Sequence, residues 1–204
     1  MFLHFTIKEL SETLLGPKFL ITFLTSLVLI LVSVYTGYRL YEEEQSWHAN
    51  ALAQNIQRME NLGSYGSMHS QGTKTLRAPV RMSIFVKGVD SAVGRSAMVN
   101  TDANTVLRDS RIGLNPIFAV FGDLDLAFIV KIILSLFALL FSYNAVSGER
   151  ETGTLKLIFA NSVGRANYIA GKSFGGVIAI LLTFLIPFII ALLMLMLVFN
   201  VAFT

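Results

Sequence analysis

The residues best suited to chemistry lie in one polar island, residues 147–172, between two apolar stretches. The island begins with the charged run Glu149–Glu151 and ends in ANYIAGKS, which resembles the end of a phosphate-binding loop. Such a loop needs a glycine separated from its Gly-Lys pair by four residues, and a strand before it. Ala166 stands at the glycine position and an apolar stretch comes after Lys172. We therefore predict no nucleotide site in this chain.

Histidine and cysteine offer little further chemistry. His4, His48 and His69 are scattered and show no metal-ligand spacing such as H-E-x-x-H. The chain has no cysteine, which excludes a disulfide framework, a thiolate metal site and a cysteine nucleophile. A membrane enzyme is therefore the weakest interpretation, and we expect no catalytic residue and no metal site.

The composition indicates a membrane protein. Of the 204 residues, 54% are hydrophobic and only 14% are charged, and the mean hydropathy is +0.64. Soluble domains are typically about 45–50% apolar. The net charge of +3 is spread thinly along the chain, without a basic cluster interleaved with aromatics. We expect a lipid bilayer as partner and no nucleic acid.

Three apolar stretches are long enough to span the bilayer. Residues 18–38 and 126–146 each supply about 20 uncharged or nearly uncharged residues, which as a helix cross a hydrocarbon core of about 30 Å. Residues 173–204 contain a third span and the start of the next segment, with Pro187 as a tolerated kink. Residues 1–17 form an amphipathic helix that ends at Gly16 and Pro17. The fold class is an all-α transmembrane bundle.

The region between the first two spans, residues 39–125, is much longer than an ordinary helix connection of about 2–8 residues. Its first part keeps one apolar face, which predicts that the first helix continues to about Glu60. Alternating apolar residues at Met82, Ile84 and Val86 predict a half-buried strand. We expect a small mixed α/β insertion.

The short polar segments predict the orientation. Basic residues of the N-terminal segment and of the island share a side because two spans separate them, and the positive-inside rule places that side in the cytoplasm. Residues 39–125 are then extracytoplasmic. Lys131, near the outer end of the second span, is interpreted as an anchor whose ammonium snorkels to the interface.

The island itself has two interpretations from its residues alone. It is either a charged connector that fixes orientation or a docking surface for a cytoplasmic partner, the latter suggested by the apolar run Leu155, Leu157, Ile158 and Phe159. Ser162 is a suitable N-cap for a short helix reaching Lys172. Gly171 and Gly175 form a Gly-x-x-x-Gly spacing, which permits close approach of another helix.

The order of residues in the island supports the docking interpretation. The run FSYNAVSGERETGTLKLIFANSVGRANYIAGK resembles permeases of ABC transporters of the ABC-2 type, whose second span precedes Gly-Glu-Arg-Glu, a spacer, Gly-Thr-Leu, an apolar stretch, and then Arg and Lys. Asn161 stands where the family often has proline. Residues matching the pattern are Gly148, Glu149, Arg150, Glu151, Gly153, Thr154, Leu155, Arg165 and Lys172.

The resemblance implies a permease subunit, an exporter more often than an importer, in the inner (cytoplasmic) membrane. It implies a separate cytoplasmic ATPase that binds ATP and Mg, and a second permease copy or homologue. Family members usually have about six spans, so we expect this sequence to be part of a longer permease. Residues 77–88 are similar to a subgroup linked to multicopper-enzyme maturation.

Residues 147–172 would then be a coupling segment that enters a cleft on the ATPase. The residues expected to make this contact are Glu149, Arg150, Glu151, Gly153, Thr154, Leu155, Ile158, Phe159 and Arg165. The alternative function is a membrane-anchored extracytoplasmic binding or sensor module without an ATPase, in which residues 39–125 are the active part.

Overall fold

The computed structural model describes residues 2–63, 66, 72–88, 93–99, 106–108, 125–143, 145–151, 153–160 and 164–198. The chain divides into two compact units. The first unit comprises Met1–Val32 and Ala127–Thr204, and the second comprises Ser33–Leu126. In the described residues, three helices are long and apolar enough to cross a membrane, at Pro17–Leu62, Leu126–Glu151 and Arg165–Leu197. The predicted helical fold class with three spans is confirmed at this level.

The first two helices meet where the sequence predicts a break. Helix α1 is Phe2–Leu14, and the Gly16 amide donates to the Thr13 carbonyl oxygen at 3.1 Å as the chain turns. Helix α2, Pro17–Leu62, begins on the proline, whose missing amide hydrogen costs nothing at a first helical position. It continues past the apolar stretch to Leu62, so the predicted extension to about Glu60 is confirmed.

The second span combines several short elements. Helix α3 is Leu126–Phe128, a π-helical turn covers Ile129–Ile133, and helix α4 is Leu134–Ser142. Lys131 lies in the π turn with an exposed side chain. Its role as a snorkelling anchor stays a prediction.

The third span is one continuous helix, α7, covering Arg165–Val198 with Pro187 inside it. The prediction of a separate short helix ending at Lys172 is wrong, because neither a proline nor a left-handed glycine interrupts the chain between Arg165 and Ser173. The expected Ser162 cap lies outside the described residues. One face of α7 is buried at helical spacing, at Tyr168, Lys172, Gly175, Ala179, Thr183, Pro187, Ala191 and Leu195.

The second unit contains a small antiparallel sheet, as the mixed α/β prediction requires. In its described part the strands are β1 (Thr73–Leu76), β2 (Ser96–Val99) and β3 (Val106–Arg108), with β2 in the middle. Thr73 pairs with Val99, and Ser96 pairs with both Leu76 and Arg108. The Asn55 amide on α2 donates to the Lys74 carbonyl oxygen at 2.8 Å, which ties the first strand to the helix.

The predicted strand at Met82–Val86 is wrong, since a 3₁₀ helix covers Arg81–Ile84 instead. Local hydrogen bonds from the Ser83 and Phe85 amides close its turns. Of the alternating apolar residues only Ile84 is buried, whereas Met82 is 65% exposed. Because Ile84 alone of these three residues is buried, their alternating spacing does not correspond to one buried face of a strand.

The anchor of that 3₁₀ helix is Gly37 on α2. A Cβ atom at Gly37 would lie 2.1 Å from the Ile84 carbonyl oxygen, so only glycine permits this approach. Beyond the 3₁₀ helix, the Leu126 amide donates to the Phe85 carbonyl oxygen at 3.0 Å, and Asp125 Oδ2 accepts from the Lys87 amide at 3.2 Å. The segment therefore connects α2 to the start of the second span within the same unit.

Candidate functional site

The coupling segment, residues 147–172, contains two short helices after the second span and the first turns of α7. Helix α5 is Ser147–Glu151 and helix α6 is Thr154–Ala160. Between them Gly153 has φ +78°, a left-handed conformation that residues with a Cβ rarely adopt. The Thr154 hydroxyl donates to the Glu149 carbonyl oxygen at 3.2 Å across this turn. The Gly-Glu-Arg-Glu and Gly-Thr-Leu patterns therefore correspond to two helical turns joined at a glycine.

Glu149 is directed into the protein rather than away from it. One carboxylate oxygen lies 3.0 Å from Lys172 Nζ on α7, and the other accepts a hydrogen bond from the Tyr168 hydroxyl. The same Lys172 ammonium lies 2.6 Å from Glu9 Oε2 on α1. We call Glu9, Lys172 and Glu149 the charged triad. It joins α1, α5 and α7 at one point.

The triad is removed from solvent. The Lys172 side chain is 9% exposed, and those of Glu9 and Glu149 are 16% and 17% exposed. Charges this far from water are stable only when they are paired and hydrogen-bonded. The ammonium between two carboxylates satisfies both conditions.

Tyr168 lies beside the triad and contacts the same elements. Its ring packs edge-on against Phe5 of α1 at 6.0 Å and against Phe159 of α6 at 5.5 Å between ring centroids. The residue is 2% exposed, and its hydroxyl is used by Glu149. The sequence analysis did not identify Tyr168 as part of the site. Its spacing of four residues from Lys172, which places both side chains on one face of a helix, could have indicated this.

Close packing of α1 on α7 depends on Gly175. A Cβ atom there would lie 2.8 Å from Glu9 Cβ and 3.2 Å from the Thr6 carbonyl oxygen. Glycine at this position lets the two helices approach, as the Gly-x-x-x-Gly spacing suggested, and it brings Glu9 within reach of Lys172.

The predicted coupling residues separate into two groups. Arg150, Glu151, Thr154 and Arg165 are exposed, as are Lys156 and Leu157, the latter at 68%. A second group faces inward or is half-buried, consisting of Glu149, Gly153, Leu155, Ile158 and Phe159. The outer group can meet a partner, whereas Glu149 and Phe159 of the inner group contact Lys172 and Tyr168 of α7.

A cavity of about 550 Å³ borders the triad. It is lined by residues of α1, the start of α2, the end of the second span and the coupling segment, among them Lys8, Glu12, Lys18 and Phe141. Glu9, Glu12 and Glu149 each place one carboxylate oxygen within 4.8 Å of the others, close enough to hold a metal ion in common. Because Lys172 already neutralises Glu9 and Glu149, a cation would have to displace its ammonium.

The remaining chemical candidates do not assemble into a site among the described residues. Ala166–Ser173 lies inside α7, where its backbone amides serve the helix rather than an anion-binding loop. His4 is exposed and His48 is half-buried, whereas His69 lies outside the described residues.

Comparison with known protein families identifies a match over nearly the whole chain. Residues 4–203 match the family described as ABC-2 family transporter protein. No curated protein and no solved structure matches the chain at a significant level. The match covers nearly the whole sequence and agrees with the three apolar helices. The chain therefore belongs to the ABC-2 family of transporter proteins and is an integral membrane permease subunit of an ABC transporter.

Proposed function

We propose that this permease couples ATP hydrolysis by a separate cytoplasmic ATPase to export of a substrate, through the coupling segment. ATP and Mg bind the ATPase, and this chain does no covalent chemistry. The observation that carries the proposal is the Glu149–Lys172 pair at 3.0 Å, which links α5 directly to the helix of the third span. A force applied to the segment is transmitted to a membrane helix through this link.

The exposed group of the segment is the proposed contact with the ATPase. Arg150 and Glu151 offer charge-assisted hydrogen bonds that set the register, and Leu157 offers apolar area. Glu149 and Phe159, which the sequence also assigned to docking, instead hold the segment on α7 through Lys172 and Tyr168. This division supports docking over a plain connector, because a connector does not need a buried ion pair.

The wider assignment follows from family membership and from charge. The N-terminus and the coupling segment are cytoplasmic, residues 39–125 are extracytoplasmic, and the membrane is the inner membrane. A second permease copy or homologue completes the transporter, which has about six spans per permease. The likeness to permeases linked to multicopper-enzyme maturation stays a prediction. Family membership favours this function over a membrane-anchored sensor without an ATPase.

The docking proposal is tested by purifying the complex from native membranes through a tag on this chain. The double variant Glu151→Lys, Leu157→Asp reverses a charge and places a carboxylate on the apolar part of the contact. We expect at least a roughly tenfold loss of copurifying Mg-ATP hydrolysis, since removing one charge-assisted contact alone costs about 1.5–3 kcal/mol.

The matched control is Glu42→Lys, which changes an exposed carboxylate on α2 outside the coupling segment. It should copurify ATPase activity like the parent protein. Unchanged activity in the double variant, at equal permease yield, would contradict docking through α5 and α6.

A further inference from the structure

Two cavities adjoin each other within the first unit. The cavity of about 550 Å³ beside the triad is next to a second one of about 320 Å³, and the two are both lined by Glu9, Thr13, Phe141, Ala145 and Lys172. Volumes of about 300–1,000 Å³ are typical of sites for small molecules. Because the cavities share these walls, one ligand with two chemically different ends can occupy both.

The second cavity is the apolar end. Its further lining comes from α4 and α7 and includes Ala138, Val177 and Ile180. Val177 is 53% exposed on a helix that is apolar enough to cross the bilayer, so this side of the cavity faces hydrocarbon. Gly176 leaves additional space, because a Cβ atom there would meet no atom within 4 Å. An acyl chain of a lipid suits this end, since it offers apolar surface and no polar group.

The first cavity is the charged end. Besides the triad it is lined by Lys8, Glu12 and Lys18, whose side chains are all exposed and therefore accessible to a ligand. The Lys18 ammonium lies 5.3 Å from the centre of the Tyr143 ring, an attraction that favours one position of the cation. Lysine and tyrosine side chains are both typical of the level of the lipid headgroups.

The balance of charge selects the class of headgroup. The charged residues that line the first cavity are lysines and glutamates in equal number, namely Lys8, Lys18, Lys172, Glu9, Glu12 and Glu149. A lining without net charge favours a zwitterion, because an anionic headgroup would meet as many repelling as attracting groups. The phosphate of a zwitterionic lipid can pair with Lys8 and Lys18, and its cationic group can pair with Glu12.

The carboxylates also discriminate between two zwitterionic lipids. An oxygen of Glu12 lies within 4.8 Å of oxygens of Glu9 and Glu149, so a cationic group at Glu12 is surrounded by acceptors. The primary ammonium of an ethanolamine headgroup donates three hydrogen bonds, as a lysine ammonium does. A choline headgroup carries no N–H and donates none. The arrangement therefore favours ethanolamine, with Lys172 remaining in the triad.

We propose that the two cavities form a binding site for phosphatidylethanolamine. Its acyl chain lies between α4 and α7, its phosphate lies at Lys8 and Lys18, and its ammonium lies at Glu12. The lipid is then a structural ligand that fills the gap between the second and third spans. The proposal goes beyond the coupling function and does not depend on docking of an ATPase.

The test measures which phospholipid stays bound. The transporter is purified from native membranes through a tag on this chain, delipidated in detergent and incubated with equal amounts of dioleoyl phosphatidylethanolamine, phosphatidylcholine and phosphatidylglycerol. Native mass spectrometry then counts the bound molecules of each lipid. We expect the ethanolamine lipid to be retained roughly tenfold over the choline lipid, the difference made by one charge-assisted hydrogen bond, and also to exceed the glycerol lipid.

Three variants test the two ends of the site. Glu12→Gln removes the partner of the ammonium and should bring retention of the ethanolamine and choline lipids to nearly the same level. Lys18→Gln weakens the phosphate contact, which all three lipids share, and should lower the retention of each roughly fivefold. Gly176→Leu fills the apolar cavity and should lower all three as well. The matched controls Glu42→Gln and Lys131→Gln change exposed residues that line neither cavity and should behave like the parent.

Equal retention of the three lipids by the parent is the result expected if a protein segment fills the cavities, and it overturns the proposal. A preference for phosphatidylglycerol overturns it too. An unchanged ethanolamine preference in Glu12→Gln, or the same loss in Glu42→Gln, has the same consequence. Glu12 and Lys18 are exposed, so their variants provide a result even if Gly176→Leu does not assemble. Copurifying ATPase activity is a separate measurement, so the docking proposal stands or fails independently.

Discussion

Replacing Lys172 by methionine removes the cation between the two carboxylates of the triad, whose side chains are only 16% and 17% exposed. Carboxylate oxygens of Glu9 and Glu149 lie within 4.8 Å of each other. At an effective dielectric constant of about 20 they repel by at least about 3 kcal/mol. Loss of one partner from a buried ion pair typically costs about 3–5 kcal/mol, which agrees with this repulsion. Lys172→Met should therefore be among the most destabilising single changes in the first unit.

The assay is thermal unfolding of the detergent-solubilised permease, followed by loss of the monodisperse peak in size-exclusion chromatography. For a chain of this length, 1 kcal/mol lowers the midpoint by about 2–4 °C, so we expect a decrease of roughly 6–20 °C. The control Lys8→Met removes an exposed pair and should lower the midpoint by no more than about 4 °C, because such pairs contribute up to about 1 kcal/mol.

A combined variant separates the charge effect from the loss of packing. Glu9→Gln, Glu149→Gln and Lys172→Met together keep the shape of the triad but remove every charge. Because an uncharged replacement of a buried ion pair is often neutral or stabilising, this variant should recover most of the lost stability. If Lys172→Met behaves like Lys8→Met, or if the combined variant is as unstable as the single one, the electrostatic argument is refuted.

The remaining predictions concern glycines. Gly175→Ala should destabilise the contact of α1 with α7, because the new methyl lies 2.8 Å from a side-chain carbon of α1. Gly176→Ala, whose methyl meets open space, should be neutral or stabilising by up to about 1 kcal/mol. Thermal unfolding distinguishes the two, since the midpoint should fall for the first variant and stay or rise for the second. Gly37→Ala places a methyl 2.1 Å from the Ile84 carbonyl oxygen and should make the 3₁₀ helix accessible to limited proteolysis, and an unchanged digestion pattern would count against this contact. Gly153→Ala, at φ +78°, should cost about 1–2 kcal/mol through backbone strain alone and lower the unfolding midpoint; an unchanged midpoint would show that the turn tolerates a Cβ.

The local parts of the fold were predictable from the sequence. Apolar length alone identified the membrane helices, and Gly16 with Pro17 located the first break, because a proline disfavours the helical conformation at the residue before it. The extension of α2 followed from a continuing apolar face. These features depend on residues within a few turns of one another.

The wrong predictions of secondary structure arose where the local sequence pattern favours one structure and contacts with distant residues favour another. Met82 and Val86 share a two-residue period with Ile84, yet only Ile84 is buried, since the contact with Gly37 decides which residue faces inward. Ser162 as an N-cap suggested a short helix that ends at Lys172, whereas one helix continues from Arg165 past Lys172 into the third span, because a polar sequence can be helical too.

The candidate site shows the same limit more clearly. The Gly-Glu-Arg-Glu pattern identified the segment, but it did not reveal that Glu149 faces inward while Glu151 is exposed. Glu9 and Lys172 are 163 residues apart in the chain, and no local pattern connects them. Only the packing of α1 at Gly175 brings these two residues together.

The position of Pro187 in α7 has a mechanical consequence. Proline has no amide hydrogen, so the turn after Thr183 lacks one backbone hydrogen bond, which favours bending of the helix there. Lys172 lies about 22 Å before this point and Leu195 about 12 Å after it, at about 1.5 Å per residue. A pivot placed there gives the polar end the longer arm, with roughly twofold leverage over the far end. A displacement of Lys172 would thus become a displacement of Leu195 that is roughly half as large, and the force there would be roughly twice as large.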